Sequence, residues 1–154
     1  MSKIEYSVDS EVAKKIHDLL QPTLVELIDI ALTGKQLHWT IIGQRFKDVH
    51  EHLDEIIDSV RVHSDDIAEY ITTVGQIPDG TAGTVAKGRP FEDVPIESID
   101  VEDVLNYTAQ MLKTASQNIR GRIDAADIDP VGQDHLIQTA ATLDKHLWMI
   151  SASR

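Results

Sequence analysis

Apolar residues recur at helical spacing from about Ser10 to Ile42, through Val12, Ile16, Leu19, Leu20, Leu24, Leu27, Ile28, Ala31 and Leu37. The pattern predicts one long helix, kinked or restarted at Pro22, which has no N–H to donate, and stopped at Gly43. A second helix is predicted from about Gln44 to Val74, carrying Phe46, Val49, Leu53, Ile56, Val60, Ile67 and Ile71 inward and ending at Gly75. The two form a hairpin. Between Pro78 and Asp100 the prolines and glycines break all periodicity, and the stretch is too long for a tight turn, so it reads as a crossover with room for a short helical turn. A third helix is predicted from Asp100, as N-cap, to about Ala126. Glu102 and Asp103 lie in its first turn, and Leu105, Leu112, Ala115 and Ile119 face inward. Asp129 and Pro130 open a fourth, which buries Leu136, Ile137, Ala140, Leu143, Leu147 and Ile150. No strand alternation competes. The expectation is an all-α chain, residues 1–154 forming one domain behind a short tail at 1–9: a four-helix bundle with a long crossover between helices 2 and 3.

Charge and composition narrow the chemistry. The 154 residues hold 26 Asp and Glu against 14 Lys and Arg, a formal net charge of −12, which repels nucleic acid phosphate and anionic lipid and favours cations. Cysteine is absent, which excludes disulfides, thiolate catalysis and Cys-ligated metal sites and leaves His, Asp and Glu as metal ligands. No apolar run approaches the roughly 18 residues of a membrane span, and Met1 to Asp9 does not read as a signal peptide, so the expectation is a soluble cytoplasmic protein.

The most informative positions are His38, His50, Asp54, Asp65 and Glu69. With His50 at zero and about 100° per residue, Asp54 falls near 40°, Asp65 near 60° and Glu69 near 100°, whereas His52 and His63 fall on the opposite side at roughly 200° and 220°. Asp54 and Asp65 are separated by roughly 16 Å along the axis, too far to share one ion within one helix. His50 with Asp54, and Asp65 with Glu69, are therefore two half-sites. An antiparallel copy of the helix from a two-fold-related subunit would bring Asp65 and Glu69 of one chain to His38, His50 and Asp54 of the other. Imidazole with carboxylate oxygen and no thiolate suits iron(II), manganese(II) or zinc(II), of which iron is the common redox-capable ion. Trp39, beside His38, is placed either to accept an oxidising equivalent or to pack the rim. A di-iron site inside the bundle needs Glu-x-x-His pairs, and no Glu here is followed three residues later by His.

The stretch K-Q-L-H-W-T-I-I-G-Q-R-F-K-D-V-H-E-H-L-D-E, then S-D-D-I-A-E and V-G-Q-I-P-D-G, resembles the Dps family of miniferritins. It keeps the family spacings H-W, G-x-x-F-x-x-x-H-x-x-x-D-E and D-x-x-A-E. The resemblance implies a ferritin-like bundle and a hollow dodecamer built from two-fold dimers. It implies ferroxidase ligands at His38, His50 and Asp54 of one subunit and at Asp65 and Glu69 of its partner. It further implies oxidation of iron(II), preferably by hydrogen peroxide rather than dioxygen, with storage of ferric mineral and protection against oxidative stress. Tyr70 stands where the family usually has Arg. The family's acidic three-fold pore would correspond to Asp124, Asp127, Asp129 and Asp134, a route for iron entry. Family members that bind DNA commonly use a Lys-rich arm. The segment M-S-K-I-E-Y-S-V here has one Lys and one Glu, so DNA binding is expected to be weak or absent.

Two further function classes compete with a ferroxidase store. One is a shell that coats or compacts DNA. The other is hydrolysis of amide or ester substrates at the same metal site, through a lowered pKa of bound water.

Overall fold

The computed structural model describes residues 4–126 and 129–154. Five helices and one short strand pair follow in the order α1 (Ser10–Thr40), β1 (Ile41–Ile42), α2 (Phe46–Thr73), α3 (Ala82–Gly88), β2 (Ile99–Asp100), α4 (Val101–Ala125) and α5 (Pro130–Ala152). The four long helices form two hairpins, α1 along α2 and α4 along α5, and the crossover between them carries α3, which packs on α1. This is the ferritin-like architecture. One apolar core runs through it, with Leu27, Ile30, Leu53, Ile57, Ile67, Leu105, Leu112, Leu136 and Leu143 fully buried.

Local chemistry explains where the helices begin. The Asp9 carboxylate accepts hydrogen bonds from the backbone N–H groups of Glu11 and Val12 at 3.0 and 2.9 Å. Asp100 caps α4 through Glu102 N–H, and Asp129 caps α5 through Gly132 N–H, each satisfying a donor that the first turn leaves without an intrahelical acceptor. Pro22 sits inside α1 without ending it; the residue is exposed, so the carbonyl one turn earlier faces water instead of an N–H.

Two departures from the sequence expectation share a cause. Helix α1 stops at Thr40, not Gly43, because Ile41 and Ile42 extend and pair in parallel with Ile99 and Asp100, fastening the end of α1 to the start of α4. A two-residue pair is too short to leave any alternation in the sequence. The turn that follows needs Gly43 at φ 115° and Arg45 at φ 62°, which moves the start of α2 to Phe46. Arg45 has no side-chain cap to offer and reaches instead to the Ser153 carbonyl and the Glu102 carboxylate, joining three helix ends. Phe46 and Ile137, expected inside, are exposed. Within the short amino-terminal tail the Tyr6 ring lies over Gly75, so a Cβ there, already disfavoured by a φ of 88°, would crowd the ring at 3.1 Å.

Charged groups also hold the bundle from within. Glu26 on α1 is buried and receives both Nη atoms of Arg122 from α4, at 2.8 and 2.9 Å, and Asn118 Nδ2 at 2.9 Å. Asp29, also buried, accepts Arg89 Nε at 2.9 Å and so anchors the crossover against α1.

Candidate metal centre

Helix α2 presents two polar flanks around its buried stripe of Val49, Leu53, Ile56, Val60, Ile67 and Ile71. On the flank facing the end of α1, His38 and His50 stack with ring centroids 3.5 Å apart and planes 21° from parallel, and Phe46 stacks on the far side of His50 at 4.8 Å. Each histidine is tied to the other's backbone. His38 Nδ1 donates to the His50 carbonyl at 2.9 Å, and His50 Nδ1 donates to the His38 carbonyl at 3.0 Å. A carbonyl can only accept, so both Nδ1 atoms carry the proton and both Nε2 atoms keep a lone pair, the tautomer a metal ligand requires.

Asp54, one turn beyond His50, brings Oδ1 to 3.4 Å from His38 Nδ1 and to 2.5 Å from Lys35 Nζ. The Lys35 ammonium bonded to it holds the Asp54 carboxyl below the usual carboxylate range, so it is anionic at neutral pH. Lys35 is the residue that the helical wheel of α2 could not supply. It lies on α1, three residues before His38, and hence on the same face of that helix. A wheel drawn for α1 would have shown it.

Asp65 and Glu69 lie further along α2 and are exposed to solvent. They do not meet His38, His50 or Asp54 within one chain, and among the described residues no three His, Asp or Glu side chains of a single chain converge on one ion-sized position. Trp39 is 71% exposed, as are much of Ile42 and Phe46 nearby in sequence. Tyr70 is turned toward α5, where its hydroxyl donates to Asp129 Oδ2 at 2.7 Å; burial and that carboxylate both push the phenol pKa up.

The acidic turn divides. Asp124 and Asp134 are exposed, Asp127 lies outside the described residues, and Asp129 is buried with Oδ2 committed to Gly132 N–H and Tyr70. Asp129 is thus a capping residue of α5 whose Oδ2 faces its own chain. A carboxylate before Pro reads the same in sequence for a cap and for a pore lining.

Among the described residues no helix is long and apolar enough to cross a membrane. Residues 17–153 match the ferritin-like domain. The DNA protection during starvation protein of Mycolicibacterium smegmatis is 36% identical over 141 residues, covering 91% of this chain and 77% of that protein. Among solved structures, the tetragonal form of Mycobacterium smegmatis Dps superposes with a TM-score of 0.91 at 32% identity, covering 99% of this chain and 93% of that one. Dps from Microbacterium arborescens in its high iron form superposes with a TM-score of 0.91 at 26% identity over 97% and 98% of the two chains.

Proposed function

Since the chain belongs to the ferritin-like domain family and, within it, to the Dps miniferritins, we propose that it oxidises iron(II) at sites shared between two copies of itself and stores the ferric product. The observation that carries this reading is the pair of imidazoles locked by each other's carbonyls, with Nε2 lone pairs free and an ionised Asp54 beside them. Two nitrogens and a carboxylate are an incomplete set for iron. The exposed Asp65 and Glu69 have the right chemistry to complete it from a two-fold-related copy. The exposed Trp39, Ile42 and Phe46 supply apolar surface that such a contact would cover. In this reading the assembly is a dodecamer of two-fold dimers, and Asp124 and Asp134 contribute to the route by which iron enters.

Iron(II) is the substrate. Two ions each give up one electron, and one hydrogen peroxide takes both, together with two protons, to leave two iron(III) and two waters. No hydroxyl radical is released, which makes the reaction protective. Carboxylate donors favour the ferric product, and the locked rings keep the nitrogen donors in place without reorganisation. Adding iron(II) and peroxide anaerobically to the metal-free protein tests this. The expected result is a ferric absorbance that consumes about one peroxide per two irons, the ratio set by pairing one-electron donors with a two-electron acceptor, and an electron-dense core in micrographs of the shell. Consumption near one to one, or ferric precipitate outside the protein, would reject it.

The acidic surface gives a second expectation. Duplex affinity comes mainly from phosphate contacts, so a chain of net charge −12 leaves DNA unretarded in a gel shift at about 150 mM salt without divalent metal. Retardation under those conditions would restore the DNA-coating alternative.

A further inference from the structure

The flank of α2 opposite the His38–His50 pair faces α5 and carries histidines that the iron chemistry does not use. His52 Nε2 lies 3.2 Å from His146 Nδ1, and the two rings meet at 43° with centroids 5.5 Å apart. The hydrogen-bond chain around them fixes the protons. Ser59 Oγ donates its only hydrogen to the Ile56 carbonyl at 2.8 Å, so toward His146 Nε2, 3.0 Å away, it can only accept. His146 therefore carries its proton on Nε2 and aims the Nδ1 lone pair at His52. A ring donating its far N–H to a fixed acceptor while its near nitrogen faces a second imidazole is the arrangement found around metal-ligating histidines.

We infer that His52 and His146 form a second divalent-metal site, suited to a borderline ion such as zinc(II) and separate from the iron half-site on the other side of α2. The separation agrees: two nitrogens bound at ordinary zinc distances in a tetrahedron stand about 3.3–3.4 Å apart, and these stand at 3.2 Å. Without an ion, His52 Nε2–H donates to His146 Nδ1. With one, that proton sits on His52 Nδ1 and both lone pairs converge. Glu55, exposed and one turn beyond His52, is the carboxylate placed to swing in as third ligand. Water completes the tetrahedron.

Cobalt(II) alone is the solution probe, added to the His38→Gln/His50→Gln double variant so that the iron half-sites have lost their nitrogen donors. A visible d–d band saturating at one ion per chain is expected. His52→Gln and His146→Gln each weaken cobalt binding by at least about tenfold, and Ser59→Ala, which removes only the outer acceptor, weakens it by about 10- to 100-fold. Absence of the band in the double variant, or a band untouched by His52→Gln, overturns the site. His146 is buried, so if its variant does not fold, the partly exposed His52 decides alone. In crystals of the unmodified assembly soaked in zinc(II), diffraction on either side of the zinc edge should place an anomalous peak between His52 Nε2 and His146 Nδ1. No peak there overturns the inference whatever becomes of the iron reading.

Discussion

Exchanging Asp54 for Ala lowers the initial rate of iron(II) oxidation by about 10- to 100-fold, the usual cost of losing a group at a metal site, and leaves the helical fold intact. The side chain is partly exposed and bonded only through Lys35 and the edge of His38, so nothing in the core depends on it. Glu69→Ala has the same effect for a different reason: Glu69 is exposed and far along α2, and its loss matters only if it serves another copy. Stopped-flow absorbance of the ferric product measures both. The decisive form of the experiment mixes the two variants. Dimers pairing an Asp54→Ala chain with a Glu69→Ala chain hold one site with both defects and one with neither, and they recover about half of the parent rate when each site draws its ligands from two chains. No recovery on mixing would place each site within a single chain.

Arg122→Ala is the substitution with the largest expected effect on stability. It strips Glu26, whose side chain is 4% exposed, of both guanidinium bonds and leaves only Asn118 Nδ2 on a buried carboxylate. Breaking one side of such a pair costs about 3–5 kcal/mol because the remaining charge stays desolvated. For a chain of this length that corresponds to a fall in melting midpoint of about 6–20 °C, read by circular dichroism at fixed protein concentration. Adding Glu26→Gln to the same chain should restore much of the loss, since a neutral amide keeps the Asn118 bond without the unpaired charge. If Arg122→Ala melts with the parent, the pair does not hold α1 to α4.

Much of this fold is legible from the sequence because helix periodicity and capping are local. Asp100 and Asp129 announce α4 and α5 by the same short-range chemistry that the structure uses, and the break after Pro78 marks the crossover. What the sequence hides is what depends on register between helices. Ile41 and Ile42 look like the end of a helix until Ile99 and Asp100, nearly sixty residues on, are known to lie beside them. The candidate site divides along the same line. The wheel of α2 separates His50 and Asp54 from His52 and His63, and in the structure the first two lie toward α1 while His52 meets His146 and His63 meets Thr142. It could not show Lys35 on Asp54, nor that Asp129 turns inward to Tyr70, because both contacts join residues on different elements.

The mutual anchoring of His38 and His50 has an evolutionary consequence. Each ring is aimed by a main-chain oxygen, and a main-chain oxygen is present whatever residue occupies the position. Drift in the surrounding side chains therefore leaves the aim of the nitrogens unchanged, and selection can exchange the neighbouring carboxylates to suit another ion without rebuilding the imidazole pair.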